Sequence, residues 1–317
     1  LAPGETVTCT FTNTKRGTII VEKQTSPDGA SDEFTFSGDA AGTIADGEQI
    51  VVSNLRPGTY TSTEADPGSD WDLGAIVCDD TNSSGNVATR TATFQLDPGE
   101  TVTCTFTNVQ RGTITIIKNA VPDDPQDFSF SGDLGSFTLD DDGSEDGTPS
   151  MMTFTNVVPG SYTVTEAAVS GWDLSGLECT GTGGSSGSRN GMSAAITLTP
   201  GGSVTCTFTN TKRGHIIVDK VTNPAGDSQS FAFSLSGGPD SVSQSFDLTD
   251  AATPHDSGAL KPGTYSVTET VPEGWDLTGA SCSDESDPTE IDLAPGETVT
   301  CTFTNTKRGT IIVEKQT

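Results

Sequence analysis

Three residue types recur at matching places along this chain, and together they can make a covalent bond. Lysine stands at 23, 118 and 220, glutamate at 64, 166 and 269, and asparagine at 108, 210 and 305. In an extended chain, alternate residues share a face. Ile19, Val21 and Lys23 therefore share one face of the run IIVEK, so the lysine continues two apolar positions. Tyr60, Ser62 and Glu64 share a face, as do Tyr162, Val164 and Glu166, and Tyr265, Val267 and Glu269. Val102, Cys104, Phe106 and Asn108 do the same in TVTCTFTN. Three polar groups aimed inward, three times over, need partners or a reaction.

One chemistry uses all three. Burial lowers the lysine pKa and leaves a neutral, nucleophilic amine. The same burial raises the glutamate pKa, so a protonated carboxyl can polarise the asparagine carboxamide and relay protons. Attack of the lysine nitrogen on the asparagine side-chain carbon expels ammonia and leaves an isopeptide bond. The expected pairs are Lys23–Asn108, Lys118–Asn210 and Lys220–Asn305, promoted by Glu64, Glu166 and Glu269. Each would form once, which makes a self-maturing crosslink and not an enzyme's turnover site. The competing reading is an unreacted Lys–Glu pair capped by asparagine, tolerated only with good geometry.

Short strands must position these residues. The motif TCTFTN places cysteines at 9, 104, 206 and 301, spaced 95, 102 and 95. Each copy is followed by Arg-Gly and an apolar run: IIVEK, TIIKN, IIVDK, IIVEK. Next come an aromatic pair (34–36, 128–130, 231–233), a Pro-Gly turn into a Tyr strand, a Trp-Asp-Leu element, a cysteine and a second Pro-Gly turn. Pro-Gly suits a type II turn, where glycine supplies the positive φ. Many short strands with no helix signal predict an all-β chain of tandem sandwiches in a linear array. Three complete domains are expected at 17–110, 112–212 and 214–307. Residues 1–16 read as the last strand of a preceding domain, and 309–317 as the first strand of the next.

The ends carry one further signal. Leu1–Thr25 and Leu293–Thr317 are the same sequence, offset by 292 residues, while the internal copies have drifted. The simplest expectation is a window cut from a longer array. Seven cysteines fit this partition: Cys78–Cys104, Cys179–Cys206 and Cys282–Cys301 each fall inside one domain, and Cys9 is left unpaired. Regular cysteine spacing points to an oxidising compartment, so an extracellular or cell-surface location is expected. Among 317 residues the net charge is -29, from 44 acidic and 15 basic side chains, which disfavours nucleic acid and anionic membranes as partners. No stretch is apolar enough for a membrane helix. Hydrophobic residues make up 32%, and about 43% with the 36 glycines counted, close to the globular average.

At this point the chain resembles a known family. The lysine in the first strand, the glutamate closing the Tyr strand and the asparagine ending the last strand are similar to those of the B-type repeat domains of collagen adhesins. They are similar also to the SpaA-type, prealbumin-like domains of bacterial pilins and surface proteins. The resemblance implies a transthyretin-like (Ig-like) β-sandwich with a Lys–Asn isopeptide bond promoted by Glu. It also implies an extracellular role in stalks, pili or adhesins, with copies of itself along a fibre as the partner. The cysteine pair within each domain departs from that pattern.

Other signals carry less. The acidic run 140–147 lacks the spacing of a calcium loop, and His215 and His255 are isolated, so no metal site and no cofactor is expected. Trp71, Trp172 and Trp275 read as packing residues before a sugar-stacking platform. The Gly/Ser stretch 181–188 is a loop, and Asn82-Ser83-Ser84 is a lone glycosylation acceptor. The functional expectation is a structural filament or surface stalk. The alternative is an adhesin whose drifted loops, 138–150 and 181–192, bind a glycan or host-surface ligand.

Overall fold

The computed structural model describes residues 1–143 and 147–316. Among them are strands and turns, with no helix. The first sandwich holds nine strands: β1 (Gly17–Ser26), β2 (Phe34–Gly38), β3 (Gly42–Ile44), β4 (Gln49–Leu55), β5 (Gly58–Glu64), β6 (Trp71–Cys78), β7 (Ser84–Asn86), β8 (Thr91–Leu96) and β9 (Thr101–Gln110). One layer has the order β4-β1-β9-β6 and the other β3-β2-β5-β8-β7. The second sandwich repeats the plan, and the third keeps it with four strands in its second layer; their first strands are Gly112–Val121 and His215–Asn223 and their last strands Ser203–Lys212 and Thr298–Lys307.

Alternation dictates the layers. β1 is buried at Ile19, Val21, Lys23 and Thr25 and open between them, which is the period of a strand with one face on a core. The facing residues of the other layer are Phe34, Phe36, Phe94 and Leu96, all nearly inaccessible. The second Phe of each aromatic pair meets the Phe of the last strand edge-to-face: Phe36 with Phe106, Phe130 with Phe208 and Phe233 with Phe303, at 5.0 to 5.2 Å between centroids. Disulfides Cys78–Cys104, Cys179–Cys206 and Cys282–Cys301 tie the last strand to its other neighbour in every domain. Loops of this length are worth about 3–4 kcal/mol each in the chain-entropy account.

The feature that matters most for function is the pairing of first and last strands. β1 and β9 are neighbours and run parallel, in register from Thr18↔Thr101 to Ser26↔Val109. The second and third domains keep the same register, Lys118↔Phe208 and Lys220↔Phe303. Chain entry and chain exit thus lie on two adjacent strands that a pull from both ends would shear past each other.

Residues 1–16 form no strand, although the same residues at 293–308 include one. Val7 and Phe11 are exposed, as are Ile311, Ile312 and Val313. A strand exists only by pairing, and neither segment is paired. Cys9 is accordingly free and exposed, whereas Cys301, in the same local sequence, is bridged.

Candidate crosslinking site

β1 carries Lys23 into the core because its inward phase runs through Ile19 and Val21 without a bulge in between. β9 delivers Asn108 by the same phase, two places beyond Phe106, the residue that pairs with Lys23. Lys23 and Asn108 are therefore diagonal neighbours on one face of one sheet. Glu64 arrives from the opposite layer, at the end of β5, where it pairs with Phe36. The geometry is repeated by Lys118, Asn210 and Glu166, and by Lys220, Asn305 and Glu269. Eight of the nine residues are at most 2% exposed, and Glu269, half-buried as a residue, has its side chain fully buried.

Distances within each trio are short. Lys23 Nζ lies 3.8 Å from Glu64 Oε1, Lys118 Nζ 3.7 Å from Glu166 Oε1 and Lys220 Nζ 3.5 Å from Glu269 Oε1. Asn108 Nδ2 donates to Glu64 Oε1 at 3.0 Å. In the third domain Lys220 Nζ donates to Asn305 Oδ1 at 2.9 Å. Each amine also donates to two backbone carbonyls, those of Gln24 and Phe106 at 2.8 and 3.1 Å in the first domain. Amine, carboxyl and carboxamide thus meet in a dry pocket.

Electrostatics follow from the burial. Desolvation pulls Lys23 and Lys118 down to about 8, against the opposing pull of Glu64 and Glu166, and lowers Lys220 as well. Desolvation likewise pushes Glu64, Glu166 and Glu269 above the ordinary carboxylate value, although the lysines oppose it. Among the described residues, Glu64 Oε2, Asn108 Oδ1, both carboxylate oxygens of Glu166, Asn210 Oδ1 and Asn305 Nδ2 have no hydrogen-bond partner. Orphaned polar atoms at this depth cost free energy. The arrangement is poor as a resting ion pair.

Two contributors were not assigned a role from sequence. The first Phe of each aromatic pair lays its ring face against the amine: Phe34, Phe128 and Phe231 stand 4.2, 4.1 and 4.3 Å from the lysine nitrogens. Trp71, Trp172 and Trp275 brace those rings edge-on and are nearly inaccessible, so they pack the core and offer no platform for sugar. Asp46, Asp141 and Asp250 accept the backbone N–H two residues after each lysine, at 2.6, 2.9 and 2.7 Å, and pin the end of the strand. The repeat of an aspartate about 23 to 30 residues after each lysine was the available signal.

The remaining candidates lie apart from this site. His215 pairs with Asp256 at 2.9 Å, and His255 stacks on Phe246. Among the described residues no group of His, Cys, Asp or Glu is placed to hold a metal, and no helix is long and apolar enough to cross a membrane. Of the acidic run 140–147, residues 144–146 lie outside the described residues.

A family described as a prealbumin-like fold domain matches residues 19–110, 114–212 and 216–307. No curated protein matches by sequence. Similar solved structures include the Bacillus anthracis TIE protein, 16% identical over 92% of this chain and 51% of that one, with a TM-score of 0.36. The pilus adhesin SpaC from Lactobacillus rhamnosus GG is 15% identical over 95% of this chain and 44% of that one, with a TM-score of 0.27. The T-13 major pilin from Streptococcus pyogenes is 16% identical over 63% of this chain and 98% of that one, with a TM-score of 0.27. The chain spans about half the length of the first two.

Proposed function

This chain belongs to the prealbumin-like fold domain family, in three tandem copies, and from that premise we propose that it is a segment of an extracellular filament or surface stalk whose domains crosslink themselves. The observation that carries the reading is the placement of Lys, Asn and Glu in one dry pocket between the first and last strands, three times over. In each domain the neutral lysine amine attacks the asparagine side-chain carbon. The protonated glutamate hydrogen-bonds the carboxamide and polarises it. A C–N bond forms, the bond from that carbon to Nδ2 breaks, and one lysine proton passes through the carboxyl to the departing nitrogen, which leaves as ammonia. The product amide is uncharged, so the pocket no longer holds a buried charge.

The bond has a mechanical meaning because of where it sits. Tension entering at Gly17 would run along β1 to Lys23, cross to Asn108 and leave through Gln110. Asn108 and Lys118 are ten residues apart, and the next crosslink begins there. Residues 24–107, the disulfide Cys78–Cys104 included, would carry no load. The domains act as the shaft; the drifted segment 181–192, expected as a loop, is largely strand, with Trp172–Thr182 and Ser186–Asn190 joined by a short turn. Bridged cysteines in every domain suit an oxidising exterior.

The pH dependence of maturation tests the chemistry. The reactive pair (neutral amine, protonated carboxyl) holds the same number of protons as the ion pair, so its population is flat while that one proton is retained. As pH rises through about 8 the shared proton is lost, the glutamate ionises for good and its acid function disappears. As pH falls below the raised glutamate pKa the amine stays protonated and cannot attack. Ammonia release from a chain folding for the first time, out of denaturant-dissolved inclusion bodies, is expected to run on a plateau at neutral pH and to decline above about 8. A rate that climbs steadily to pH 10 would show an amine working without its acid and overturn the assigned role of glutamate.

A further inference from the structure

The Arg-Gly dipeptide between domains has no part in the crosslink, yet it recurs at 16–17, 111–112, 213–214 and 308–309. At both complete junctions it is built the same way. Arg111 donates its backbone N–H to Asp70 O, and Arg213 donates to Gly171 O, each at 2.8 Å. The Arg111 guanidinium forks onto Asp72 through Nε and Nη2, both at 2.8 Å, and Arg213 forks onto Asp173 at the same distances. These aspartates belong to the Trp-Asp-Leu element of the domain just ended. The remaining nitrogen, Nη1, reaches forward to the domain just begun: Arg111 to Asn156 O at 3.2 Å and Arg213 to Ala259 O at 3.4 Å. Arg16 makes the forward contact too, to Asn54 O at 2.7 Å.

The next domain answers from its Pro-Gly turn. Gly201 N donates to Gln110 O at 3.0 Å, and Gly296 N to Lys212 O at 3.1 Å, across the same junctions. Both glycines have positive φ, 63° and 71°. A Cβ at Gly201 would lie 2.4 Å from Gln110 Oε1 and 3.0 Å from Pro27 Cδ, so the turn sits directly on the preceding domain. Arg111 alone separates the last strand of the first domain from the first strand of the second.

We infer that the linker arginine is a locking joint that fixes the angle between successive domains, making the tandem array a stiff rod. A lysine would not replace it, since only the planar fork can hold the aspartate with two nitrogens and still present a third to the next domain. The position also suits the charge balance: acidic domains abut there, and the arginine places a cation between them. The joint is independent of whether the cores are crosslinked, because none of its atoms belongs to the Lys–Glu–Asn site.

Small-angle X-ray scattering from the full chain tests it, with Arg111→Ala/Arg213→Ala compared against the parent. The parent is expected to fit one extended conformer. The variant is expected to need an ensemble whose spread of inter-domain distances is roughly doubled, since free domain motion is the default without a clamp. Asp72→Asn/Asp173→Asn removes the fork from the other partner and should act in the same direction. Near-ultraviolet circular dichroism unchanged from the parent shows that the sandwiches remain folded in either variant. Scattering profiles of folded variants that superimpose on the parent would overturn the inference.

Discussion

Pulled from its two ends, the chain is expected to reach bond rupture without any domain extending. The expectation comes from the parallel pairing of β1 with β9 and the diagonal placement of Lys23 and Asn108 upon it. Once those side chains are joined, the covalent path bypasses the rest of the sandwich. Replacing Glu64, Glu166 and Glu269 by Ala should return the domains to ordinary shear unfolding, in three separate steps. The step from the first domain should lengthen the chain by about 200 Å at full stretch, with the stretch between Cys78 and Cys104 withheld by its disulfide. Reduction should then lengthen the steps in the Glu→Ala variant and change nothing in the parent. Single-molecule force spectroscopy reads both results, and three extension steps from the unaltered chain would contradict the load path.

The second large effect is a change of sign in stability. If Lys118 and Glu166 were a resting ion pair, replacing both with apolar residues of similar volume, as in Lys118→Met/Glu166→Leu, would be neutral or stabilising. The buried carboxylate oxygens of Glu166 have no hydrogen-bond partner among the described residues, only the Lys118 amine at 3.7 Å, which makes that outcome all the more expected of an unreacted pair. If Lys118 is joined to Asn210, the same substitution opens a closed loop of more than 90 residues. Chain entropy then puts the loss at about 4–5 kcal/mol, equivalent to a fall in Tm of roughly 20–30 °C for a domain of this size. Differential scanning calorimetry of the full chain should show one of three transitions moving down while the other two stay. A transition that stays or moves up would mean the pair never reacted.

Most of this site was legible in the sequence because period-2 alternation is a local property. Lys23, Glu64 and Asn108 each continue an apolar phase, and that alone points them inward. What alternation does not convey is which strands are neighbours. The parallel pairing of β1 with β9 and the arrival of Glu64 from the opposite layer depend on how the chain crosses between sheets. The rings of Phe34, Phe128 and Phe231 were visible as one half of an aromatic pair, yet their contact with the amine follows only once two layers face each other. Two of the three copies of TVTCTFTN make the same point. At 298–307 the sequence is a strand between two neighbours, and at 6–13 it is exposed coil. Pattern proposes a strand, and partners decide it.

The Arg-Gly dipeptides were legible as punctuation between domains and illegible as joints. Their meaning lies in two partners from two domains, Asp72 and Asn156, neither of them near Arg111 in sequence, and in the Gly201 turn that bonds the neighbouring Gln110. Stiff joints and crosslinked cores address different loads. The first resists bending and the second resists extension, so a filament built from both would hold its shape as well as its length.

The most direct test is the intact mass of the full chain after reduction of its disulfides. Three asparagine-consuming crosslinks predict a mass about 51 Da below that of the reduced linear sequence, one ammonia per domain, with about 17 Da restored by each of Glu64→Ala, Glu166→Ala and Glu269→Ala. A reduced chain at its full sequence mass would contradict the account and leave the lysine, glutamate and asparagine of each core as an unreacted polar network.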